Sequence, residues 1–101
     1  MPVEPMRTQE MEVFSDSVNA PVMRDPGRRF PSSLIQGDSL SVLWGLAKSV
    51  RDRVADYDDE ELVADSQELF DLIHARMLGY QAALEAGGME LPYSGRIEED
   101  A

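Results

Sequence analysis

The chain contains no cysteine. Disulfides, thiolate metal sites and cysteine nucleophiles are therefore excluded. Positive charge is scarce. Nine Lys and Arg stand against twenty Asp and Glu, a formal net charge of −11. Such a surface repels nucleic acid and anionic membranes at long range, and suits docking onto a basic protein. No apolar run approaches the roughly 20 residues of a membrane helix. The first ten residues, MPVEPMRTQE, lack the basic-then-apolar pattern of an export signal. The expected location is the cytoplasm. What remains is a chain of 101 residues, 43% hydrophobic. That supports one modest core and leaves little material for a deep substrate cavity.

The charge is uneven. Residues 1–37 hold four Arg and five acids, a net of −1; residues 38–101 hold five Lys and Arg and fifteen acids, a net of −10. The acidity belongs to the second half, and the local patterning also changes there.

Residues 1–10, with two Pro and scattered charges, read as a flexible N-terminal arm. Three strand candidates follow: Met11 to Phe14, Ala20 to Arg24, and Arg29 to Gln36. Ser15 to Asn19 reads as a turn. Asp25-Pro26-Gly27-Arg28 fits a type II turn, with Pro setting φ at the first central position and Gly supplying positive φ at the second. Pro31 cannot donate to a ladder, so it marks an edge, a bulge or the entry to its strand.

From Gly37-Asp38-Ser39 the period becomes helical. Leu40, Leu43, Ala47, Val50 and Val54 recur at spacings of three and four, and Trp44 and Leu46 broaden the apolar surface. Asp38 or Ser39 is placed to cap that helix. A second helix carries Leu62, Leu69, Phe70, Ile73, Met77, Tyr80 and Leu84, with Asp58 and Glu61 spaced as a capping box and Gly87-Gly88 as the stop. The expected fold class is α+β: a small two- or three-stranded antiparallel sheet followed by two antiparallel α-helices. The expected organisation is an arm over 1–10, a single domain over 11–88, and an acidic flexible tail over 89–101.

One constellation looks catalytic. Gly37-Asp38-Ser39-Leu40 spells the nucleophile motif of GDSL-type esterases, and Asp71-Leu72-Ile73-His74 spells the D-x-x-H of their acid and base. The order Ser, Asp, His agrees too. Those enzymes, however, resemble a doubly wound α/β fold about twice this length. Further Gly and Asn blocks complete their oxyanion hole, and none stands between positions 40 and 71. Their D-x-x-H lies on a loop, whereas here it falls within a helix. Ser39, Asp71 and His74 are decoys on this reading, and the chain is expected not to be an enzyme.

The acidic run Asp56, Asp58, Asp59, Glu60 and Glu61 begins like a calcium loop. It places Glu61 where Gly is needed and Gln67 where a bidentate Glu is needed. No metal and no cofactor is expected. Arg24, Arg28 and Arg29 cluster around the Pro26-Gly27 turn, where they suit a carboxylate or phosphate, or the chain's own acids. Trp44, with Met77 and Tyr80, suits either a partner anchor or plain packing between the helices.

The segment Asp25-Pro-Gly-Arg-Arg-Phe-Pro31, followed by Leu34-Ile-Gln-Gly-Asp-Ser-Leu40, resembles a group of small bacterial proteins of unknown function. Their shared core is P-G-R-R-F-P-G, a short apolar strand, then Q-G-D-S-L opening a helix. Ser32 stands here in place of the last Gly. The resemblance covers residues 11–55, implies no settled activity, and accounts for the G-D-S-L string without an esterase. In character, small acidic proteins of this kind are similar to immunity proteins of bacterial toxin systems.

The functional expectation is a non-enzymatic protein-binding module, immunity-like and directed at a basic partner. Arg24, Arg28, Arg29, Trp44, Asp58, Asp59 and Glu60 are its contact candidates. A GDSL-like serine hydrolase and a self-associating structural module, such as a homodimer, are the alternatives. Nucleic acid and membrane are not expected partners.

Overall fold

The computed structural model describes residues 6–17 and 20–101. Residues 1–5 of the expected arm, and Val18 and Asn19 of the first expected turn, lie outside the described residues. Three antiparallel strands and then two helices give the expected α+β class. The contacts divide the chain at Gln36–Gly37 into two compact units, where one domain over 11–88 was expected.

In the first unit, β1 (Glu12–Ser15), β2 (Val22–Arg24) and β3 (Ser32–Ser33) pair in the order β1-β2-β3. Glu12 faces Arg24 across the first ladder, with 2.7 Å between Arg24 Nη2 and Glu12 Oε2. Opposite charges directly across an antiparallel pair favour this register. A register shift between Val13 and Ser15 bends β1. The turn from β2 toward β3 is the expected one. Arg28 N–H donates to the Asp25 carbonyl at 2.9 Å, and Gly27 has φ 93°. Pro31 stands immediately before β3, which is why so little of the expected Arg29–Gln36 strand pairs. One further bond, Leu34 N–H to the Pro21 carbonyl at 2.8 Å, continues the second ladder.

In the second unit, α1 (Gly37–Val54) and α2 (Glu60–Ala86) form an antiparallel hairpin. Gly37 meets Tyr80, Trp44 meets His74 and Arg51 meets Phe70, so later residues of α1 meet earlier residues of α2. Tyr80 occupies the space that a Cβ on Gly37 would need, which accounts for glycine at the first position of α1. The cap of α2 is Asp59, not Asp58. Its carboxylate accepts from Leu62 N–H at 3.0 Å, and Glu60 and Glu61 complement the dipole of the first turn. At the other end, Gly87 N–H donates to the Ala83 carbonyl, as the stop signal predicts. No helix among the described residues is long and apolar enough to cross a membrane.

The expected flexible tail is instead packed against the hairpin. Ile97 is buried with Leu40 and Met77, and Trp44, Ile73, Leu78, Tyr80 and Tyr93 pack around them. Gln81 explains the docking. It is fully buried, its Oε1 accepts from Ile97 N–H at 2.8 Å, and its Nε2 donates to the Ile97 carbonyl at 2.9 Å. One side chain thus satisfies both backbone groups of the residue that enters the core. Arg96 adds a two-pronged pair to Glu85, both contacts at 2.9 Å.

Candidate interaction surface

The residues that spell a hydrolase bond to different partners. Ser39 is exposed in the first turn of α1, and its backbone N–H donates to the Asp38 carboxylate at 2.8 Å. Asp71 is exposed and accepts from Gln67 Nε2 at 2.9 Å. His74 is buried, with both ring nitrogens engaged elsewhere. Trp44 Nε1–H can only donate, so His74 Nδ1 accepts from it at 3.0 Å. The Glu99 carbonyl can only accept, so His74 Nε2 carries the proton and donates at 2.9 Å. These two bonds fix one tautomer of the neutral ring and tie α1, α2 and the tail together. No hydrogen bond links Ser39, Asp71 and His74 to one another among the described residues.

Trp44 packs between the two helices of the hairpin. Its ring centroid lies 6.0 Å from that of Phe70 and 6.2 Å from that of His74, and Phe70 and His74 are stacked at 5.1 Å. The Arg51 guanidinium covers Phe70 at 3.9 Å from the ring centroid, and Arg51 Nη1 donates to the Ala101 carbonyl. Met77 and Tyr80, grouped with Trp44 in the sequence, belong to the same packing.

The arginine cluster divides. Arg24 is committed to Glu12 and lies 5.6 Å from the Phe14 ring centroid. Arg28 and Arg29 line an open cleft of about 530 Å³ together with Asp25, Phe30, Pro31 and Leu34. The Arg29 guanidinium rests over Phe30 at 5.2 Å. Of the acidic candidates, Asp59 is the cap of α2, and Asp58 and Glu60 stand exposed beside it.

The largest feature missing from the sequence reading is an apolar face of the hairpin. On α1, Val42, Leu43, Leu46 and Val50 remain exposed, Val42 by 62% and Leu46 by 60%. Their spacing of i, i+1, i+4 and i+8 makes one stripe. It lies about a third of a turn from the inward stripe of Leu40, Trp44, Ala47 and Arg51. On α2, Leu62, Leu69 and Leu72 are exposed, Leu69 by 51% and Leu72 by 60%. They lie about a third of a turn from the buried stripe of Phe70, His74, Met77 and Gln81, in the same rotational sense. In antiparallel helices, offsets of the same sense point to the same side of the pair. Both stripes therefore share one face. The tail is held by His74, Gln81 and Glu85, on the other flank of the buried stripe. The signal in the sequence was the width of the α1 arc, too broad for one neighbouring helix to cover. Leu43 and Val50, placed by spacing in one stripe with Leu40 and Ala47, belong to this outer face.

Comparison with known families matches residues 6–93 to a family of unknown function, DUF6959. The chain belongs to that family. The DUF6959 match covers most of both units. No curated protein and no solved structure matches the chain.

Proposed function

We propose that the chain is a non-enzymatic protein-interaction module that docks through the outer face of its helical hairpin. The observation that carries this reading is the shared stripe of Val42, Leu46, Leu69 and Leu72, each more than half exposed. Contiguous apolar surface beyond about 300–600 Å² is where soluble chains meet partners. The non-enzymatic part is supported by His74. Both its nitrogens are committed to structural bonds, so neither is poised to activate Ser39. The acids outside this face, in a chain of net charge −11, favour encounter with a basic partner elsewhere on the surface, as an immunity-like inhibitor would use.

The test is site-specific photocrosslinking in the native host. A crosslinking residue at Leu46 is compared with one at Asp71, which lies on the other side of α2 from Leu69. Adducts from Leu46 and none from Asp71 are expected. Equal yields from both, or none from either, would remove the reading.

A further inference from the structure

We infer that the partner on this face is a second copy of the chain, and that two hairpins close into a four-helix bundle. The inference rests on the interaction-module reading and names its occupant.

Area is the first argument. Four residues on α1 and three on α2 are exposed by 39% to 62%. Together they supply several hundred Å² of apolar surface, with polar rim still to be added. A standard interface needs about 800 Å² per partner. One face of this hairpin therefore comes close to that requirement, and two such faces stacked give the geometry of a four-helix bundle.

Charge is the second argument. Two chains of −11 repel wherever their acids meet. Residues 38–101 carry fifteen acids. By helical spacing Asp65 falls within the exposed α2 stripe, Glu61 and Glu68 lie at its edge and Asp38 at the edge of the α1 stripe, while Arg53 and Arg76 stand within the face. The apolar side of the hairpin thus carries only a small part of the chain's net negative charge, so a second copy approaches there with least repulsion.

Register is the third argument. Asp65 and Arg76 are exposed on the same stripe as Leu69 and Leu72, and neither forms an ion pair among the described residues. The midpoint between positions 65 and 76 falls between Leu69 and Leu72. A two-fold axis crossing α2 there is isologous: what Asp65 meets on the other copy, the other copy's equivalent meets here. It sets Asp65 against the partner's Arg76, twice, with leucines between the pairs.

Sedimentation equilibrium of the purified full chain over a range of concentration and salt tests this. The expected result is a concentration-dependent mass reaching twice that of one chain. Salt should tighten the dimer, because screening relieves repulsion between two chains of −11 by more than it weakens the two exposed Asp65–Arg76 pairs, while the apolar contact is untouched. Leu46→Glu with Leu72→Glu should raise the dissociation constant by about 30-fold or more while far-UV circular dichroism is unchanged. Asp65→Arg alone should weaken the dimer, and adding Arg76→Asp should restore it, a comparison that holds even if the glutamate variant unfolds. A monomer at every concentration and salt overturns the inference, as does a dimer indifferent to both sets of variants. A monomeric chain whose Leu46 crosslinks to a different protein defeats only the second-copy reading and leaves the interaction module standing. Absence of both results defeats both.

Discussion

His74 shows how far residue identity alone can mislead. In sequence it completes a Ser, Asp, His order, and in space it holds three segments together. Removing the ring leaves the half-buried Trp44 N–H without an acceptor. His74→Phe should therefore cost about 1–3 kcal/mol, the range for an unmatched buried polar group. Ser39→Ala should stay within about 0.5 kcal/mol, because the Ser39 side chain is exposed. Urea denaturation of the two variants beside the parent checks both. Equal losses would mean that Ser39 carries a structural burden absent from the bonds described. The identity of His74 as a connector was not legible beforehand, because its partners Trp44 and Glu99 lie 30 and 25 positions away.

At the scale of elements, the sequence was most readable where the signal is local. The Pro26-Gly27 turn needs a positive φ that Gly27 supplies, and it was found. The helix period from Leu40 onward and the stop at Gly87 were found for the same reason. The start of α2 was misread by one residue, since Asp58-Asp59 offers two caps and only backbone geometry chooses between them. Asp59→Ala should destabilise by about 1 kcal/mol, and Asp58→Ala should be near neutral. Thermal melts of the two variants decide it, and the reverse order would return the cap to Asp58. The strands were the weakest elements to read. β3 pairs over two residues, and such a short ladder leaves no alternation to detect.

For the molecule as a whole, charge was legible and its distribution in space was not. Composition stated the excess of acids, but only the hairpin geometry separates an apolar side from the acidic remainder. Within that excess, two carboxyls are held in their charged form. Hydrogen bonding from Arg96 holds the Glu85 carboxyl below its ordinary range, against opposing desolvation, and Lys48 and then Arg51 do the same for Asp52. A lowered folded value means stability that is present above the unfolded value and lost as pH falls through the folded one. Both groups are exposed, so the effect is small. Glu85→Gln should flatten part of the acid-side loss in melting temperature between neutral pH and about pH 3. An unchanged acid limb would show that the Arg96 pair does not hold in solution. The tail was misread for a related reason. One apolar residue, Ile97, stands among Arg96, Glu98, Glu99 and Asp100, and no periodicity rule registers a single residue.

The grip of Gln81 on Ile97 has a consequence for solvent exchange. Amides outside helices and strands ordinarily trade their protons with water quickly, because nothing closes over them. The Ile97 amide belongs to neither kind of element, yet it is buried and bonded to a buried side chain. In deuterium oxide it should persist as a slow proton amid fast-exchanging neighbours, and Gln81→Leu should release it to their rate. Its lifetime then reports how often the tail lifts from the hairpin at that residue, without any probe being attached.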